Sequence, residues 1–107
     1  MLEDWEPCDV IKVDFSRHDF RAGPAIIIGV RGEEILVCSG TKQNWHEGDD
    51  AFYPMEKGTG NVRCKTYINC RDVYAVTEEE ILEYWGEVDD ETFSSIIETM
   101  RNYGIEI

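Results

Sequence analysis

Four blocks of β-branched and aromatic residues fill the first 76 positions, and this constrains the fold more than any other feature. Asp9-Val-Ile-Lys-Val-Asp-Phe15 alternates, with Ile11, Val13 and Phe15 on one side and Val10, Lys12 and Asp14 on the other, the period of a half-buried strand. Pro24-Ala-Ile-Ile-Ile-Gly-Val30 is an almost unbroken apolar run, which reads as a strand covered on both faces, with proline tolerated only at its start. Arg31-Gly-Glu-Glu34 is a tight turn, and Ile35-Leu-Val-Cys38 follows at once, so the two runs are expected to pair as an antiparallel hairpin. Residues 66–76 form a further strand with a polar break at Arg71 and Asp72, read either as an ion pair or as the edge of a site.

Between these blocks, residues 16–23 are polar and read as a loop. Residues 39–60 are rich in Gly, Asp and Asn and read mainly as a long loop, with a short strand at 51–54. Residues 61–65 are a candidate further strand. Beyond position 76 the pattern changes. Thr77 with Glu80 three residues later has the spacing of a capping box, which predicts a short helix over 78–85 ending at Gly86. Asp89-Asp-Glu91 opens a second helix, Phe93, Ile96, Ile97 and Met100 form one apolar stripe, and Gly104 closes it. Strands followed by helices in one 107-residue unit imply a single α+β domain built on a small antiparallel sheet or barrel.

Charge is distributed unevenly. The formal net charge is -13; residues 1–77 hold 13 acids and 9 bases, residues 78–107 hold 10 acids and one base, Arg101. Phosphate contacts supply most of the affinity of nucleic-acid binders, so a uniformly acidic surface disfavours that class and favours basic protein partners, or serves only solubility. The acidic start of the chain lacks the apolar core of a leader, and no run approaches the ~18 apolar residues of a membrane helix. A cytoplasmic protein is expected, with Cys8, Cys38, Cys64 and Cys70 as reduced, mostly buried thiols. No pair has Cys-x-x-Cys spacing, so neither a metal nor another cofactor is expected. His46 with Asp49 and Asp50 reads as a polar turn.

Taken in order, these blocks resemble the MazF/PemK family of toxin endoribonucleases. Cys8-Asp-Val-Ile-Lys-Val-Asp-Phe15 is similar to the opening strand of the family, with Cys8 where it has glycine. Gly23-Pro24-Ala-Ile-Ile-Ile28 is similar to the family's Arg-Pro strand, with Gly23 where it has arginine. Ile35-Leu-Val-Cys-Ser-Gly-Thr41 supplies the strand that ends in threonine, and Tyr67-Ile-Asn-Cys-Arg-Asp-Val-Tyr74 is similar to a late strand of the family. The resemblance spans roughly residues 8–100. It implies an SH3-like barrel with a short helix and a C-terminal amphipathic helix, a homodimer, an antitoxin peptide as partner, and metal-independent cleavage of single-stranded RNA.

In active relatives the arginine before the proline and the threonine after the next strand carry the chemistry, the arginine as a permanent cation on the phosphate. Here the resemblance assigns catalysis to Thr41, with Arg21 and His18 supplying charge and proton transfer in place of the missing arginine. It assigns RNA binding to Arg17, Gly23, Pro24 and Trp45. Aromatic side chains at 45, 52 and 53 would stack on bases or pin the long loop. The alternative is a barrel without catalysis, an acidic module that occupies a basic protein such as a nucleic-acid enzyme, in the manner of a phage-type inhibitor.

Overall fold

The computed structural model describes residues 4–106. Positions 1–3 of the acidic start lie outside the described residues. The chain forms strands β1 (Asp9–Val13), β2 (Gly23–Arg31), β3 (Glu34–Thr41), β4 (Phe52–Met55), β5 (Thr66–Asn69), β6 (Tyr74–Val76) and β7 (Ile81–Glu87), and one helix, α1 (Asp90–Asn102). All pairings are antiparallel, and the strand order is β4-β5-β3-β2-β1-β7, with β6 also on β3. The expected hairpin is present: Ile27 faces Val37 and Arg31 faces Glu34. The polar break splits residues 66–76 into two strands that share β3 as partner, β5 opposite Gly40 and Thr41, β6 opposite Ile35–Val37. Arg71 reaches Asp49 at 3.6 Å rather than Asp72.

The alternation creates two apolar faces. Ile11, Val13, Ala25, Ile27, Ile35 and Val37 pack on one side with Phe15 and Val76. Val10, Ile26, Ile28 and Cys38 pack on the other, beneath Met55 and Ile68 and the helix residues Ile96 and Met100. α1 follows its signals closely. The Asp89 side chain accepts the Thr92 N–H at 2.7 Å, two acids occupy the first turn, and Gly104 lies past the end with φ +83°.

Three expectations differ from the structure. Residues 61–65 form no strand. The helix predicted over 78–85 is only a 3-10 turn at Glu78–Glu80, and residues 81–87 are strand. The capping box itself is real, since Glu80 accepts the Thr77 N–H at 2.8 Å. The same carboxylate also binds Arg17 through both oxygens, and Ile81, Tyr84 and Trp85 suit a strand paired to β1, so helix propagation stops after one turn. The third concerns closure. Among the described residues β4 and β7 do not pair, so the sheet is open rather than a closed barrel. The turn Thr59–Asn61 lies beside β7 instead: Asn61 Nδ2 donates to the Trp85 carbonyl at 2.6 Å, and Gly60, at φ +56°, sits against Val10 where a β-carbon would not fit.

Candidate active site

The face that carries Val10, Ile26 and Cys38 extends past α1, and there it is uncovered. By strand alternation it continues as Lys12, Pro24 and Gly40, the floor of an open cleft of about 610 Å³. The loop before β2, the end of β3 and the segment leading into β5 form its walls. Gly40 is bare for a reason: a β-carbon there would stand 2.8 Å from Thr66 Cγ2, 3.1 Å from Ile68 Cδ1 and 3.3 Å from Pro24 Cγ. Thr66 and Ile68 are buried and cannot retreat. Gly40→Ala is therefore expected to cost about 1–3 kcal/mol through overpacking and to lower the melting temperature by about 4–24 °C. An unchanged thermal melt would show that the floor is softer than this.

Gly23 and Thr41 line the same cleft, as does Arg21. The Thr41 hydroxyl oxygen accepts the Gln43 N–H at 3.3 Å, which leaves its own hydrogen free to donate into the cleft. At Gly23 a β-carbon would meet only the Gly40 carbonyl oxygen, at 3.9 Å, so the position has room for a side chain. Pro24 is in the floor.

The other sequence candidates point elsewhere. Arg17 donates to both Glu80 oxygens at 3.0 and 2.8 Å and to the Ala75 carbonyl at 2.9 Å. Its bonds hold the Glu80 carboxyl down at about pKa 2. His18 Nε2 lies 3.2 Å from the same Ala75 carbonyl, and its ring stands against Tyr74. Neither lines the cleft. Trp45 is 73 % exposed; its indole donates to Gln43 Oε1 at 2.7 Å and stacks on His46, which stacks in turn on Phe52. Through Gln43, a lining residue, it borders the rim. His46 is thus part of an aromatic stack, and Asp49 accepts the Ala51 N–H at 3.0 Å within its turn.

Of the four thiols, Cys38 and Cys70 are buried, and desolvation pushes them up to about 12 and about 11. Cys8 is half-buried, and Cys64, contrary to the expectation of burial, is exposed on the cleft wall.

Sequence reasoning missed the charge of this cleft. Lys12, Arg21, Lys42 and Arg63 line it, four of the ten lysines and arginines of the chain, and among the described residues no aspartate or glutamate does. Lys12 lies 3.6 Å from Glu83 outside it, whereas Arg21, Lys42 and Arg63 form no ion pair among the described residues. On a body of net charge -13 the cleft is a local reversal of sign. Lys42 stands one position from Thr41, within reach of a sequence argument; Lys12 and Arg63 arrive from separate segments.

No protein-family model matches the chain, and no curated protein does. Solved structures do match. An endoribonuclease from a Mycobacterial species, in complex with its cognate antitoxin, aligns over 94 % of this chain and 96 % of its own at TM-score 0.74 and 16 % identity. The Mycobacterium tuberculosis toxin MazF-mt6 aligns over 92 % and 95 % at TM-score 0.74 and 12 % identity. The fold is that of the MazF toxins. A further Mycobacterial endoribonuclease aligns over 91 % and 88 % at TM-score 0.71 and 16 % identity. The MazF-type fold therefore extends over nearly the whole chain, including β7, which the sequence pattern presents as helix. No helix among the described residues is long and apolar enough to cross a membrane.

Proposed function

We propose that the chain is a MazF-like growth-inhibiting toxin, a metal-independent endoribonuclease that cuts single-stranded RNA in the cleft of Gly23 and Thr41. The observation that carries this reading is the sign reversal: a MazF-type cleft lined by four cations and no acid, on an otherwise acidic chain. Polyanion binding requires such a lining, and a purely acidic decoy of nucleic acid has no use for it. In this reading Thr41 donates to a phosphate oxygen, and Arg21 supplies the permanent cation that Gly23 lacks. Cleavage proceeds by attack of the RNA 2′-oxygen on its own phosphate, which forms a 2′,3′-cyclic phosphate and breaks the bond to the 5′-oxygen of the next nucleotide; the 2′-hydroxyl proton passes to water and the leaving 5′-oxygen takes one from water. His18, bound to the Ala75 carbonyl and outside the cleft, passes neither proton. The single domain is an SH3-like fold whose sheet stays open between β4 and β7, with Thr59–Asn61 packed beside β7, working as a homodimer and restrained by an antitoxin peptide.

The test is a long single-stranded RNA with purified protein at about 50 mM salt. Wild type should bind it and yield discrete fragments. Exchanging two of the three unpaired wall cations, Lys42→Glu with Arg63→Glu, should weaken binding about fiftyfold, since each phosphate contact on a single strand contributes a salt slope of about 0.7. The difference should shrink as salt approaches 1 M. No binding by wild type, or binding indifferent to the double exchange, overturns the reading.

A further inference from the structure

The cleft has an end that the threonine and the loop cations do not reach. There the strands β7, β1 and β2 present Glu83, Lys12 and Pro24 as direct cross-strand partners, so all three share one face. Glu83 holds two groups at once. Its Oε2 lies 3.6 Å from Lys12 Nζ, and its Oε1 accepts the Trp85 indole N–H at 3.1 Å. Lys12 and Trp85 both line the cleft; Glu83 stands outside it. Trp85 is half-buried, packed on one side against the outer core around Val10 and Val88. Its carbonyl is also fixed by Asn61. An aromatic ring backed by core and held at backbone and indole alike is a rigid platform, and its open side faces a cationic groove.

We propose that Trp85 and Lys12 form a nucleotide subsite at the β1–β7 end of the cleft, with Trp85 stacking on a base and Lys12 contacting the adjoining phosphate. Glu83 is a positioning residue. It orients the indole, and it occupies the ammonium until a phosphate replaces it. The ligand class is a single strand, because only an unpaired base exposes a face to stack. The subsite extends the reading of the cleft as an RNA site and rests on it.

The probe is an uncleavable 2′-O-methyl RNA of about ten nucleotides, with its dissociation constant followed against salt. Trp85→Ala should lose about 5- to 100-fold in affinity at every salt concentration, and Trp85→Phe should retain most of it. Lys12→Gln should reduce the salt slope by about 0.7. Glu83→Gln still accepts the indole N–H but releases the ammonium, and should bind up to about fivefold tighter; Glu83→Ala, which frees both, should lose that gain. If wild type binds and the Lys42/Arg63 exchange weakens it, but Trp85→Ala and Lys12→Gln bind as wild type does, the subsite is wrong and the cleft reading stands. If wild type does not bind, both fall. Should Trp85→Ala fail to fold, the salt slope of Lys12→Gln and the affinity of Glu83→Gln, both changes of exposed side chains, decide.

Discussion

Gly23→Arg is expected to speed cleavage of single-stranded RNA by about 10²- to 10³-fold, the usual worth of one charge-stabilising donor aimed at the reacting centre. Two observations support it. The position has space, since a β-carbon there meets only the Gly40 carbonyl oxygen at ordinary contact distance. The position also lines the cleft with Thr41 and precedes Pro24, where the sequence resemblance implies an arginine. Arg21 is in the same cleft but two residues upstream, on an exposed loop, so it supplies charge without the fixed direction that a strand residue would give. Adding Thr41→Ala to Gly23→Arg should remove the gain, because the threonine hydroxyl would no longer share the developing charge. His18→Gln should leave the rate nearly as it was, since the imidazole is held outside the cleft. A folded Gly23→Arg protein no faster than wild type would place the chemistry elsewhere.

Glu80→Ala should destabilise the protein by about 2 kcal/mol at pH 7, lowering the melting temperature by about 8–16 °C. Glu80 is tied to Arg17 by two hydrogen bonds and to the Thr77 N–H by a third, and its side chain is 17 % exposed. One carboxylate thus joins the loop after β1, the turn before β7 and, through Arg17, the carbonyl of Ala75. The sign of the pH dependence comes from the depressed pKa of about 2. The folded protein holds the proton less tightly than the unfolded chain, whose glutamates titrate near 4.3. The stabilisation is therefore complete above about pH 5 and fades as pH falls towards 2. The gap between wild type and Glu80→Ala should close over that window; a gap that stays constant from pH 7 to pH 3 would mean the residue acts by packing, not by charge.

The parts of the fold legible in the sequence are those where local pattern and burial coincide. Alternation in residues 9–15 and the apolar run at 24–30 are set by the two faces they must cover, and α1 carries its own stripe and caps. Residues 78–85 carry a helix signal yet form mostly strand, because a capping box specifies only one turn of backbone. The path of the chain beyond that turn depends on Arg17, 63 positions from Glu80, and on a free edge of β1. The site is legible to the same extent. Gly23, Pro24 and Thr41 lie on strand ends whose order along the chain resembles a known pattern, and they do meet. Arg17 and His18 are near in sequence, but their side chains turn towards Ala75. Lys12, Lys42, Arg63 and Trp85 reach the cleft from four separate stretches, and no window of sequence contains them together.

Gathering four of the ten cations into one trough within a body of net charge -13 also bears on the shape of what can enter. One ribose-phosphate strand lying in the trough meets four lysine and arginine side chains and, among the described lining residues, no carboxylate. A double helix would bring a second backbone, which would lie over the net-acidic remainder of the body. The acidity that first argued against nucleic acid thus becomes a discriminator, turning away duplexes by repulsion at a distance rather than by any contact in the trough itself.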